Sequence, residues 1–285
     1  MIETARAVNR AARQRPWHPA PFVLGKVAMR YEIRAMSFGE ILDTGFQLLR
    51  NHFKLLIGLS LVMYAPIAAL SLALEILTAG ESVSPLAIGM TAVPLGLAIV
   101  IAAPIVAAAI TFALGGLYLG REVTFEGSLR AALSIILPLM GTSILAYLLM
   151  LAGFLALVVP GIYLIFAFFL LWQIMVLEGV FGIAAMRRSH ELMKGNKLRA
   201  LGIILVTAII AGVIGTGLQL VLGLVPYLGS IASSFTQAVS SVFTTAVSVV
   251  LYFDIRCRQE AFDLEHLARL VEGRDAGPMA QPTVR

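Results

Sequence analysis

The chain has 285 residues, 59% of them hydrophobic and 13% charged, with a formal net charge of +5. Soluble globular domains carry about 25% charged residues, so there is too little polar surface here to cover a fold in water, and an ordinary soluble domain is excluded. A single cysteine, Cys257, excludes an internal disulfide and any zinc site built on two cysteines.

Residues 1–36 carry Arg6, Arg10, Arg13, Arg15, Lys26, Arg30 and Arg34. The nearest thing to a signal-peptide core, "APFVLGKVAM", is interrupted by Pro21 and Lys26. This segment reads as a basic, poorly ordered cytoplasmic arm. Next comes "SFGEILDTGFQLLRN", with Phe38, Ile41, Leu42, Gly45, Phe46 and Leu49 at helical spacing. It predicts an amphipathic interfacial helix, with Ser37 as N-cap and Glu40 three residues on completing a capping box.

A membrane span needs about 20 mostly apolar residues. Six segments meet this, at 53–74, 92–119, 135–158, 161–180, 199–224 and 231–253. Two further amphipathic helices lie between them, "TFEGSLRAALS" capped by Thr124 and "VFGIAAMRRSHELMKGN". The sixth span holds eight Ser or Thr and no charge. Small and hydroxyl residues let helices approach closely in lipid, so this span is expected in the interior. The predicted fold class is all-α: a polytopic integral membrane protein of six transmembrane helices, arranged as three hairpins with interfacial helices. Its domains are the arm at 1–36, the membrane domain at 37–256, and a cytoplasmic helix and tail at 257–285.

All 21 Lys and Arg fall in alternate segments: nine in 1–54, two in 120–134, five in 183–199 and five in 254–285. The opposite connections, 75–91, 159–160 and 225–230, hold none. The positive-inside rule therefore places both termini in the cytoplasm. It also accounts for the basic balance through anionic lipid rather than nucleic acid. Aligning Phe38, Phe125 and Phe181 sets three outer turns in register, Val93-Pro94, Val159-Pro160 and Val225-Pro226. The alignment predicts a threefold repeat of interfacial helix, span, proline turn and span.

Ser189, His190 and Glu191 look like chemistry but are consecutive on a helix, so their side chains diverge by about 100°. A triad needs groups from separate elements converging on one atom. The helical projection instead buries Ala185, Met186, Ser189, Leu192 and Met193 and leaves Arg187, Arg188, Glu191 and Lys194 facing out, with Gly195-Asn196 ending the helix. His52, His190 and His266 show no metal-ligand spacing, so no metal or other cofactor is expected. Glu178 and Asp254, at span ends, are costly unless paired, and Arg187 and Arg188 are the expected partners. No ionisable residue lies mid-span, which disfavours a pump; Gln173, Gln219 and Gln237 are the polar interior candidates.

The third hairpin, "VVPGIYLIFAFFLLWQIMVLEGVFGIAAMRRSHELMKGN", resembles the membrane domain associated with glycerophosphoryl diester phosphodiesterases. So do the start, "MSFGEILDTGFQLLRNHF", and the end, "LYFDIRCRQEAFDLEHL". The matching positions include Pro160, Gly161, Glu178, Gly195, Asn196, Asp254, Arg256 and Arg258, which the resemblance marks as structural. It also implies a stand-alone bacterial inner-membrane module, because the catalytic barrel of such enzymes and its His-Arg-Gly and Glu-x-Asp motifs have no counterpart here. Gly161 after Pro160 is expected to permit the tight outer turn. The functional expectation is a non-catalytic module that binds anionic membrane lipids, or holds a protein partner or second copy, through Arg50, Arg121, Arg130, Arg187, Arg188, Lys194, Lys197 and Arg199. The alternative is a transporter or channel for a lipid or other small amphiphile.

Overall fold

The computed structural model describes residues 31, 33–78, 85–222, 228–262 and 264. The described elements are helical: α1 (Phe38–Asn51), α2 (Phe53–Thr78), α3 (Pro85–Tyr118), α4 (Phe125–Ser134), α5 (Ile136–Ala156), α6 (Val158–Ala167), α7 (Leu171–Leu177), α8 (Gly182–Met193), α9 (Lys197–Leu222) and α10 (Leu228–Glu260). Five stretches among the described residues are long and apolar enough to cross a membrane: Phe53–Ala73, Ile136–Ala156, Val158–Leu177, Lys197–Val221 and Ile231–Glu260. The expected second span falls on α3, whose stretch Ala102–Tyr118 is apolar but shorter.

Local chemistry sets the ends of the short helices. Ser37 caps α1 through a complete capping box: its hydroxyl accepts from the Glu40 amide, and the Glu40 carboxylate accepts from the Ser37 amide at 2.5 Å. Thr124 caps α4 by accepting from the Gly127 amide. Helix α1 buries Ile41, Gly45, Leu48 and Leu49. Phe46, expected on that face, is 52% exposed, and Leu48 is buried in its place. Helix α8 buries Ala185, Met186, Ser189, Leu192 and Met193, the five expected residues.

Helix α10 is the hub. It packs against α1, α2, α3 and α9, and 67% of its most apolar window is buried, against 12% for α9 and 17% for α5. Its Ser241, Thr245 and Ser248 hydroxyls bond back to their own helix, Thr245 to the Ser241 carbonyl at 2.7 Å, while Ser60 of α2 reaches the Ala238 carbonyl at 3.2 Å. The pairs α2–α3, α5–α6 and α9–α10 each pack together, but the three hairpins are not equivalent. The last supplies the central helix and the middle one lies at the edge, so the packing departs from the expected threefold arrangement.

The middle hairpin also departs from expectation at its turn and within its second limb. Its turn is the single extended residue Leu157, and Pro160 already lies in the first turn of α6, where a missing N–H costs nothing. Gly161 is therefore helical and serves close approach rather than the turn. A Cβ there would lie 2.5 Å from Cγ of Phe154, and its backbone faces Gly153 of α5. The expected fourth span breaks at Phe168–Leu170, where Phe168 and Leu170 have ψ near 0°. At the break the Leu171 amide donates to the Phe168 carbonyl at 3.0 Å, which leaves the Ala167 carbonyl without its helical donor. Beyond this point α7 leaves α5 and packs on α3, and α8 fills the space against α5 and α6.

Candidate functional site

The last turns of α10, "YFDIRCRQE", place Tyr252, Arg256 and Glu260 at intervals of four, and Asp254 and Arg258 at the same interval two residues out of step. Two residues along a helix turn by about 200°, so these sets lie on opposite faces. Each face builds its own cluster of charges at the end of the bundle that carries the described Lys and Arg.

On one face, Glu178, the C-cap of α7, accepts from the Tyr252 hydroxyl at 2.7 Å and from Arg188 Nε at 3.1 Å. Arg188 also pairs with Glu260, donating Nη2 to Oε2 at 2.8 Å, and Arg256 Nε donates to the same oxygen at 3.0 Å. The Arg256 guanidinium lies 4.1 Å from the Phe262 ring centroid. Glu260 first, then Glu178, holds the Arg188 guanidinium even more firmly protonated than usual. Two cations thus meet two anions, all half-buried. Such a balanced network contributes little net stability beyond its desolvation cost, but removing one member strands the others. Its main effect is to fix how α7, α8 and the end of α10 sit on one another.

On the other face, the fully buried Asp254 carboxylate accepts from Arg199 Nε at 3.0 Å, Arg258 Nε at 3.1 Å and the Met36 amide at 2.7 Å. The Met36 carbonyl in turn accepts from Arg199 at 2.5 Å and Arg258 at 2.6 Å. Both polar groups of one residue preceding α1 are thereby clamped. Tyr31 stacks on Tyr118, which stacks on Phe253 at 4.9 Å, and Asn51 donates to the Tyr31 hydroxyl at 3.2 Å. The end of the expected loose arm is docked through Tyr31 and residues 33–36; residues 1–30 and Glu32 lie outside the described residues.

Helix α8 is fixed at both ends and in its middle. The Thr142 hydroxyl of α5 accepts the Gly182 amide at 2.7 Å. Ser189 donates to the Ala167 carbonyl freed by the span break, at 2.8 Å. Gln259 of α10 donates to the Leu192 and Lys194 carbonyls at 3.0 and 2.9 Å. The helix then ends in a type II turn: Lys194 has φ −62° and ψ 125°, Gly195 has φ 78°, and the Asn196 amide donates to the Met193 carbonyl at 3.2 Å. Asn196 also donates its side-chain amide to the Leu192 carbonyl at 3.3 Å.

Ser189, His190 and Glu191 diverge: to the Ala167 carbonyl, to the Tyr163 ring and to the exposed surface, respectively. The structure places the expected lipid-facing cations in three ways. Arg188 and Arg199 are committed inward, because a buried or half-buried carboxylate lies within reach of each. Asp254 accordingly pairs with Arg199 and Arg258, not with Arg187 or Arg188. Arg50, Arg121, Arg130, Arg187 and Lys194 are exposed, and Arg130 bonds Glu126 one turn before it. Lys197 is half-buried with its ammonium 3.5 Å from the Tyr163 ring centroid. Cys257 is a buried cysteine. Gln173 is buried, whereas Gln219 is exposed and reaches only the Gly229 carbonyl at 3.5 Å, so these two do not share a lining. His266 lies outside the described residues.

The sequence argument missed Met36 and Gln259 as members of this assembly. The signal for Gln259 was its place one turn after Ile255 on the helix bearing both charge sets; Met36 contributes only main-chain groups and had none. No known family model, curated protein or solved structure matches this chain.

Proposed function

We propose that the chain is a six-span bacterial inner-membrane module, both termini cytoplasmic, that binds anionic lipid or holds a partner protein at the cytoplasmic leaflet without catalysing a reaction. One observation carries this reading: the basic end sorts its cations by role. Arg188 and Arg199 are consumed in ion pairs between helices, Arg256 in its pair with Glu260 within α10, and Arg258 in holding Asp254 and the Met36 carbonyl. Arg50, Lys54, Arg121, Arg187 and Lys194 are exposed and, among the described residues, pair with no carboxylate. A rigid bundle with unpaired cations around its rim is suited to anionic headgroups or an acidic partner. The resemblance to the phosphodiesterase-associated membrane domain supports the same reading, as a module without the barrel.

Each rim cation contributes about 1 kcal/mol near an anionic surface. Arg187→Gln with Lys194→Gln should therefore weaken preference for phosphatidylglycerol over phosphatidylcholine by roughly thirtyfold, with helicity and melting unchanged. The reading fails if the double variant keeps the wild-type preference. A transporter for a lipid or other amphiphile retains one supporting observation: among the described residues, Trp172 Nε1 and Gln173 Oε1 are buried without a hydrogen-bond partner just past the break in the expected fourth span.

A further inference from the structure

Three residues from different helices gather on one ring outside the two charge clusters. Tyr163 of α6 is 46% exposed. The Lys197 ammonium, at the start of α9, lies 3.5 Å from its ring centroid, and the His190 ring of α8 lies 5.9 Å from it in a tilted arrangement. Arg188, Arg199 and Arg256 are the other half-buried arginine or lysine side chains described, and each has a carboxylate partner. Lys197 has none among the described residues. An ammonium carries three donors, and a ring face satisfies its charge only in part. Lys197 therefore keeps donors open to an acceptor from outside the chain.

The surroundings specify the rest of that acceptor. Leu198 is 84% exposed beside Lys197, and Ile162 and Leu201 are exposed on the two helices that carry Tyr163 and Lys197. Apolar surface therefore adjoins the polar group. A small free anion has no use for it, whereas a phospholipid places its phosphodiester and acyl chains side by side.

We propose that Lys197, His190 and Tyr163 form a discrete subsite for the phosphodiester of one phospholipid, with its acyl chains lying along the exposed apolar face of α6 and α9. The Lys197 ammonium supplies the charge-assisted hydrogen bond, and Tyr163 holds that ammonium in place. This subsite rests on the lipid-binding reading above, sharpens it from a diffuse rim to a single site, and places the Tyr163 end of α6 at the same membrane surface as Lys197 instead of at an outer turn.

The test uses the full chain in detergent, titrated with short-chain phosphatidylglycerol, diacylglycerol of the same chains, and inorganic phosphate, with bound lipid counted by native mass spectrometry. Wild type should retain one phosphatidylglycerol in preference to diacylglycerol. Lys197→Met should bind it ten- to hundredfold more weakly, and Lys197→Arg should restore most of the affinity. Lys197 has no carboxylate partner to strand, so Lys197→Met should keep the wild-type melting temperature, and that measurement separates loss of the site from loss of the fold. Equal binding by Lys197→Met and wild type overturns the subsite, as does equal binding of diacylglycerol. Displacement of the lipid by micromolar inorganic phosphate would show a small-anion site and overturn the lipid assignment. The Arg187→Gln, Lys194→Gln variant in the same titration separates the two proposals. If it loses anionic preference while Lys197→Met does not, only the subsite fails; if neither variant loses it, both readings fail.

Discussion

Asp254→Asn removes one charge from a fully buried position and leaves the side-chain shape nearly unchanged. Asp254 accepts the Met36 amide at 2.7 Å and two arginines at 3.0 and 3.1 Å. Breaking a buried ion pair by neutralising one partner costs about 3–5 kcal/mol when the other charge stays buried. Here the Arg199 and Arg258 side chains are 24% and 37% exposed, so part of their charge can return to water. The discounted cost is about 2–4 kcal/mol. Reversible unfolding of the full chain in mixed detergent micelles reads this directly, and hydrogen exchange at the Met36 amide reads the local consequence. That amide should be protected in wild type and exchange at least tenfold faster in the variant. Adding Arg199→Met should recover part of the loss, because the two residues interact and their effects are not additive. A change below about 0.5 kcal/mol with unaltered Met36 protection would refute the claim that the clamp holds this segment.

Gly161→Ala should destabilise the chain by about 1–3 kcal/mol, since a Cβ there lies 2.5–2.7 Å from Phe154 ring atoms; the same unfolding assay reports it, and a neutral result would return Gly161 to a turn role. Gly195→Ala, at φ 78°, should cost about 1 kcal/mol, whereas Gly195→Asn should cost less because asparagine tolerates that conformation; equal costs would count against the type II turn. The Arg34 guanidinium, then the Ser37 amide, hold the Glu40 carboxyl down at about 2. A folded-state value below the unfolded one means that this capping contribution is complete above about pH 4.5 and is lost as pH falls through about 2. A carbon-detected NMR titration of Glu40 should show that midpoint, and Arg34→Ala should move it upward; a midpoint unchanged by Arg34→Ala would sink the assignment.

What could be read from the sequence was what depends on neighbours within a few residues. The Ser37–Glu40 capping box and the Thr124 cap are local hydrogen bonds, and the buried face of α8 follows from helical geometry alone. The interior position of the sixth span was legible too, because its Ser and Thr content suits close packing. The break at Phe168–Leu170 was not. It interrupts "LIFAFFLLWQ", which has no Gly or Pro, and it is compensated by Ser189 from another helix. Charge pairing showed the same division. Glu178 and Asp254 were expected to need cations, with Arg187 and Arg188 named for the two together, and Arg188 does pair with Glu178. The choice of Arg199 and Arg258 for Asp254 depends on how α9 meets α10, which spacing along one chain does not encode. Docking of Met36 uses main-chain atoms alone, so no side-chain pattern announced it.

Native mass spectrometry of the full chain, released gently from its own membrane, asks most simply whether the molecule is a lipid-binding or partner-holding module. The proposed function predicts a fixed number of co-purifying anionic phospholipids or a defined protein partner, retained as detergent is removed in the gas phase. A bare monomer that exchanges every lipid freely would contradict it.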